Sequence, residues 1–406
     1  MTSADRVEGA LAVRRWVLGY LGGGAASADP TMLKHTSAEA WSLFLRMECC
    51  ALPLLARFRA DRLFSELVES HRVVLDSAAT SEMQRVLAAR LILRELDAVC
   101  DAARLRIIVL RGGAHAADAR LEALDLGDVD VLAREGESNV VWRAMLAHGW
   151  GPTNAGVDPS VALGDRIHFA PLQSTRHALR VEVHERFSYG DERTVGGEMQ
   201  TVPITGTRAL DRPVGVNAVL ATLAHSVIKH PYRRGHIRDL VLLSAALTSL
   251  APAELSEVRK RVAAHDYALE LLDMLEQASA FADRGRHIED TPRTLAFVTW
   301  KYAAGAGTSR IVSASLPGWE NLSYLPLERP RIRRAAYRHQ LRYAVQRVPL
   351  DSPIREMSGL GARVAHSLGL ARLARSIYRL TVVGVLIVAA PLLRRHVRWL
   401  AERSRR

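Results

Sequence analysis

Apolar and polar positions along this chain follow two rhythms, and the change from one to the other divides it. From Val7 to Leu21, from Ser37 to about Ala103, and again beyond Pro213, apolar residues recur at i, i+3 and i+4, the repeat of one helix face. The first of these helices should stop at Gly22 to Gly24. In the second stretch Ser81 and Gln84 have the spacing of a capping box, which predicts a helix start there, with Val86, Leu87, Leu91, Leu93, Leu96 and Val99 on its apolar side. Beyond Pro213 the pattern predicts helices over Val216 to Ile228, His236 to Leu247, Glu254 to about Ala282 with breaks, and Thr294 to Ala303.

Between the helical stretches the period shortens to two. Arg106 to Leu110 is a β-branched run that ends abruptly at Arg111, Gly112 and Gly113. Gly127 to Leu132, reading GDVDVL, alternates, and so do Arg166 to Leu172 and Leu179 to Glu185; a helix from Ser138 to His148, ended by Gly149, interrupts them. The fold class expected is α+β, a small mixed sheet with helices flanked by helical regions on both sides. The divisions are an N-terminal helical region at 1–103, an α/β core at 104–212, a helical domain at 213–304, a Gly-, Ser- and Pro-containing linker at 305–330, and a basic helical tail at 331–406.

Charge sharpens this division. The net charge is +12, but residues 329–406 hold eighteen arginines against three acids, so the first 328 residues are slightly acidic. A nucleic-acid role for the body is therefore not indicated, whereas the tail suits an anionic partner, such as a membrane surface. Within the tail, 380–393 is a run of fourteen uncharged residues between arginines, about 21 Å as a helix and short of a hydrocarbon core of about 30 Å. It reads as a buried or interfacial helix, as a C-terminal membrane anchor, or as a partner-binding helix. The membrane readings keep the body cytoplasmic, with the tail at the inner face of the membrane. Arg14 and Arg15 have a faint look of an export signal, but Asp5 and Glu8 oppose it. The three cysteines, Cys49, Cys50 and Cys100, form neither a disulfide framework nor a metal-ligand spacing, and read as small buried residues in a reducing compartment.

The candidate chemistry begins in GDVDVL. Residues i and i+2 of a strand share a face, so Asp128 and Asp130 project together, about 6.5–7 Å apart at the backbone, while Val129 and Val131 enter the core. Paired carboxylates repel unless a cation joins them, and hard oxygen ligands suggest Mg²⁺ or Mn²⁺. Upstream, Gly112 and Gly113 would let backbone N–H groups approach a phosphate closely. Downstream, Glu182 offers a third carboxylate, and His184, two residues on, shares its face as a candidate metal-site or structural histidine.

A strand ending in Gly-Gly, then an Asp-x-Asp strand, then an apolar-Glu-apolar strand resembles the DNA polymerase β-like nucleotidyltransferase superfamily, in particular its branch of bacterial nucleotidyltransferase-family proteins. The counterparts are Arg111, where that branch has lysine, with Gly112, Gly113 and Ala114; Gly127 to Leu132; Leu146, Gly149 and Trp150; and Val181 to His184. The resemblance extends over roughly residues 30–300, through His225 and the stretch from His236 to Asp239. It implies transfer of a nucleoside monophosphate from an NTP to a hydroxyl acceptor. Asp128, Asp130 and Glu182 would be metal ligands, with Asp130 and Glu182 central to catalysis and Glu182 as metal ligand or general base. Arg111, Gly112 and Gly113 would bind the nucleotide.

Two rivals share parts of the pattern. A glycosyltransferase also uses Asp-x-Asp, but it needs strands where residues 1–103 read as helices. A non-catalytic scaffold of the same fold, associated with membrane, would keep the sheet without converging carboxylates. His225, His230 and His236 are spaced poorly for a helical metal site, and Asp239 beside Arg238 reads as a helix-surface pair or a contact to the cleft. His115 and Asp118 carry no chemistry by spacing, and neither a P-loop nor a Gly-x-Ser-x-Gly nucleophile motif occurs.

Overall fold

The computed structural model of the chain describes residues 2–23, 33–117, 126–134, 136–153, 169, 171–184, 199–229, 234–265, 267–283, 288–303 and 305–306, with positions 391, 395, 399 and 402. Apart from these positions, the linker, the basic tail and its apolar segment 380–393 lie outside the described residues, as do Asp118, His230 and most of Arg166 to Leu172. Helices α1 (Ser3–Gly23), α2 (Ala38–Glu48) and α3 (Ala51–Ala60) precede α4 (Glu69–Ala102), whose 34 residues run for about 50 Å. Then come β1 (Ile107–Val109), α5 (Arg111–Ala117), β2 (Asp128–Ala133), α6 (Ser138–Ala147), β3 (Gly151–Pro152), β4 (Leu172–Gln173), β5 (Arg180–His184), β6 (Thr201–Pro203) and β7 (Leu210–Pro213). Five helices follow: α7 (Gly215–Ala224), continued by a π-turn over His225–Lys229, α8 (Ile237–Leu247), α9 (Pro252–Ala263), α10 (Ala268–Ala282) and α11 (Pro292–Ala303). The mixed α+β class expected from the sequence is what the described residues form.

Two buried cores organise these elements, and α4 runs through both. Its N-terminal half, at Leu75 and Ala79, packs into a helical core with Val17 of α1, Phe44 of α2, Phe58 of α3, Leu223 of α7, Leu243 of α8 and Tyr302 of α11. Its C-terminal half, from Val86 to Cys100, packs into a second core with β1, β2, β5, β7, Trp142 of α6 and Trp150. The described helices α1 to the first half of α4 and α7 to α11, which fall in the two helical regions read from sequence as 1–103 and 213–304, therefore share one interior, and the second half of α4 belongs to the sheet lobe.

The capping-box expectation at Ser81 is overturned, since α4 is continuous there. Glu82 is buried because its carboxylate caps a different helix: it accepts from the backbone N–H groups of Ala51 (3.0 Å) and Leu52 (2.8 Å) at the start of α3. Those N–H groups have no partner within their own helix, and a carboxylate near the helix N-terminus also complements its dipole. Ser81 instead accepts from Arg85 at 3.2 Å.

The helical lobe is tied together by one buried carboxylate. Glu48, at the end of α2, accepts from Lys301 Nζ (2.6 Å), Tyr302 Oη (2.8 Å) and the backbone N–H of Ile237 (2.8 Å), and lies 3.0 Å from Arg14 Nη1. Three hydrogen bonds and a buried ion pair thus converge on one carboxylate, which has acceptor capacity for all three donors. Arg14 also pairs with Asp290 through two nitrogens, at 2.8 and 2.7 Å, and donates to Gly235 O at 2.5 Å. Burial opposes the Arg14 charge, but Asp290 and Glu48 outweigh it and hold its pKa above the usual arginine range. Burial pushes the Lys301 ammonium below the ordinary lysine range despite Glu48.

The seven strands form one mixed sheet in the order β3-β4-β5-β2-β1-β7-β6. Strands β1 and β2 are antiparallel, whereas β2 with β5 and β1 with β7 are parallel. Strands β6 and β7 form a hairpin whose turn places Gly206 at φ +81° and closes with Thr207 N–H to Ile204 O at 3.1 Å. The parallel alignment of β2 with β5 brings the sequence-predicted carboxylates to adjacent positions.

Candidate metal centre

Strand β2 alternates as its sequence dictates, with Val129 and Val131 fully buried behind it and Asp128 and Asp130 on the other face. In the parallel register Asp130 stands opposite Glu182, and Asp128 opposite Arg180. Neighbouring strands lie about 4.8 Å apart, so Asp130 and Glu182 are side-by-side carboxylates on one face. Like charges so placed repel, and the surroundings must compensate.

Two groups do so at Asp130. His184, at the end of β5 and fully buried, places Nε2 2.8 Å from Asp130 Oδ1 and 3.8 Å from Glu182 Oε2. Arg111, where β1 gives way to α5, forms a close ion pair through Nη2 with Asp130 Oδ2. Asp130 is only 8% exposed. Arg111 holds φ at +49°, in the left-handed region that costs a non-glycine residue energy and that recurs at functional sites.

Among the described residues, the ligand atoms of Asp130, Glu182 and His184 all lie within 4.8 Å of one another. Asp128 shares their face but lies outside that set. The donor chemistry suits a divalent cation: carboxylates take Mg²⁺ or Mn²⁺, and an imidazole beside them favours the transition ion. The guanidinium already lying against Asp130 shows that the site accommodates a positive charge.

The two glycines have a packing role in the fold. A Cβ on Gly112 would stand 2.2 Å from Leu126 Cδ2, and one on Gly113 2.9 Å from Val109 Cγ1. Gly113 N–H donates to Leu110 O at 3.1 Å. Their smallness lets α5 settle against the strands, and thereby puts Arg111 over Asp130.

A third polar cluster stiffens the edge of the sheet. Glu95 of α4 accepts from Trp150 Nε1 (2.8 Å) and Arg176 Nη2 (2.6 Å) and bonds His177 Nε2 at 2.8 Å, with Trp150 and His177 stacked. Burial would raise the Glu95 pKa, but these partners together lower it. No local sequence signal marks this cluster, because its members are about 55–80 residues apart and meet only through tertiary structure.

In the helical lobe, Asp239 is not a surface residue. It is buried, accepts from Ser226 Oγ at 2.7 Å, and pairs with its neighbour Arg238. His225 and His236 are buried as well, and neither joins a metal-ligand cluster among the described residues. Cys50 and Cys100 are buried as expected, whereas Cys49 is partly exposed and all three are free thiols. Among the described residues no helix is long and apolar enough to cross a membrane. Comparison with known protein families, with curated proteins and with solved structures found no match for this chain.

Proposed function

We propose that the sheet lobe performs metal-assisted nucleotidyl transfer, moving a nucleoside monophosphate from an NTP to a hydroxyl acceptor. The observation that supports this reading is the convergence of Asp130, Glu182 and His184 on one face of two adjacent parallel strands. A Mg²⁺ or Mn²⁺ ion held by these residues would neutralise the triphosphate and the leaving pyrophosphate. Glu182, more open than Asp130, takes the proton of the attacking hydroxyl as general base. Before an ion binds, His184 Nε2 orients Asp130 through their 2.8 Å bond, a bond that this nitrogen would give up on ligating the ion. Asp128 extends the acidic face along β2, and Arg111 offers a forked donor to phosphate oxygens. The arginines of residues 329–406 suit an anionic membrane surface as the tail's partner.

One observation favours a second reading. The Arg111–Asp130 pair neutralises the carboxylate within the protein itself, as a non-catalytic scaffold would require. Incubation with each labelled NTP and Mg²⁺ or Mn²⁺, scored for pyrophosphate release, separates the two. Transferase activity should be lost in Asp130→Asn, while equal signals from wild type and variant would favour the scaffold.

A further inference from the structure

We propose that Arg111 is a displaceable internal cation, occupying in the resting protein the place of a positive charge that a divalent metal takes on substrate binding. The inference rests on the nucleotidyl-transfer reading and assigns the site its regulation: metal and nucleotide enter together, because each makes room for the other.

Asp130 and Glu182 are register neighbours on adjacent strands, and Asp130 is nearly buried, so their joint negative charge requires a counter-charge. Arg111 supplies it through Asp130 Oδ2, while His184 takes Oδ1. Counted over Asp130 and Glu182, one guanidinium leaves one negative charge, to which Asp128 adds from the same face of β2. A divalent cation added without moving Arg111 would stand against the guanidinium beside the buried Asp130 and His184, and the metal would compete with Nη2 for the same oxygen. A triphosphate changes that balance, because it gives the guanidinium a new partner to which its planar fork is well matched.

The backbone points the same way. Arg111 sits at φ +49°, a conformation that a long side chain adopts at a cost and keeps only where its surroundings hold it. Gly112 follows directly, packed so closely on Leu126 that α5 has little freedom there. Movement of the guanidinium is thus left to the Arg111 side chain itself, at the junction between a strand that is fixed and a helix that is packed. Metal and nucleotide should then bind with positive coupling, and linkage makes that coupling reciprocal.

The test uses the full chain and Mn²⁺ alone, with free ion counted by room-temperature electron paramagnetic resonance. Wild type should bind Mn²⁺ weakly. Arg111→Gln should bind it about tenfold more tightly, Arg111→Lys should fall between, and Asp130→Asn should lose the site. If Arg111→Gln does not fold without metal, Mn²⁺ should restore a cooperative melt, and failure to restore it would overturn the proposal. Binding by wild type that is lost in Asp130→Asn yet no tighter in Arg111→Gln would also overturn it, leaving the metal-site reading intact. Absence of Mn²⁺ binding in every protein would overturn both.

Discussion

Two carboxylates anchor this molecule, one in each lobe, and they are built differently. Glu48 lies in the helical lobe with no exposed surface, accepts hydrogen bonds from the start of α8 and from two side chains of α11, and forms an ion pair with Arg14 of α1. Asp130 lies in the sheet lobe with a second carboxylate beside it, and its partners include Arg111, at a left-handed backbone position, and His184. The first arrangement is closed: adding a ligand would break bonds without making new ones. The second is open in the sense that matters for chemistry, since its ligand atoms converge and its counter-charge sits on a long side chain. Both look alike in composition, a carboxylate with an arginine. Convergence of two carboxylates and an imidazole, rather than burial or charge alone, distinguishes the candidate site from the structural staple.

The largest effect that probes this contrast is on stability. Glu48→Gln leaves Arg14 and Lys301 buried without their shared counter-charge and should cost about 3–5 kcal/mol in urea unfolding. Asp130→Asn should cost less than half of that, because Glu182 stands beside it to take over as partner for Arg111. Equal losses would erase the distinction between the lobes.

A smaller effect lies in pH. His71, on the half of α4 that packs in the helical lobe, has its pKa lowered by burial, only partly offset by its bond to Thr36 O. The unfolded chain therefore binds a proton near pH 6.5 before the folded one does, and stability contributed by this lobe falls as pH drops below about 6.5. Glu95, on the other half of α4, has its pKa lowered, so its contribution is present above the unfolded value near 4.5 and is lost as pH falls through the folded value. Segment-resolved hydrogen exchange should show the helical lobe loosening first on acidification, with His71→Gln removing that early limb. Simultaneous loosening at pH 6 would argue that the lobes are not separable in this way.

The smallest effect is on thiol reactivity. Burial, with Glu82 and Glu48 adding to it, raises the Cys50 pKa well above the ordinary range, and burial pushes Cys100 up to about 12. Native protein should react with a thiol reagent at Cys49 alone. Glu48→Gln should expose Cys50 to reaction while leaving Cys100 protected, and labelling of Cys100 in that variant would show the damage spreading through α4.

The sequence made the site more legible than the fold around it. Alternation in β2 and β5 told which residues share a face, because period-two geometry is local. It did not tell that the strands lie side by side in parallel with Asp130 opposite Glu182, which is a property of pairing. Ser81 and Gln84 had the spacing of a cap and none of its context; Glu82 caps α3, a partner about thirty residues away. Strands β6 and β7 escaped notice because Pro203, Pro213, Asp211 and Arg212 break an apolar reading, although β7 pairs with central β1. Arg14 reads in sequence as part of the first helix, and its buried pairing shows only when the fold brings Glu48 and Asp290 to it. The resemblance implies a nucleotide-binding role for Arg111, and its pairing with Asp130 depends on the tight seat of α5.

The sheet-lobe cluster, unlike the Glu48 hub, is proposed to hold a divalent cation through His184 as well as carboxylates. Electron spin echo modulation of Mn²⁺ bound to the full chain with an NTP analogue tests it directly. The account predicts coupling to a directly bound imidazole nitrogen that disappears in His184→Gln; a bound Mn²⁺ showing no nitrogen coupling in wild type would contradict it.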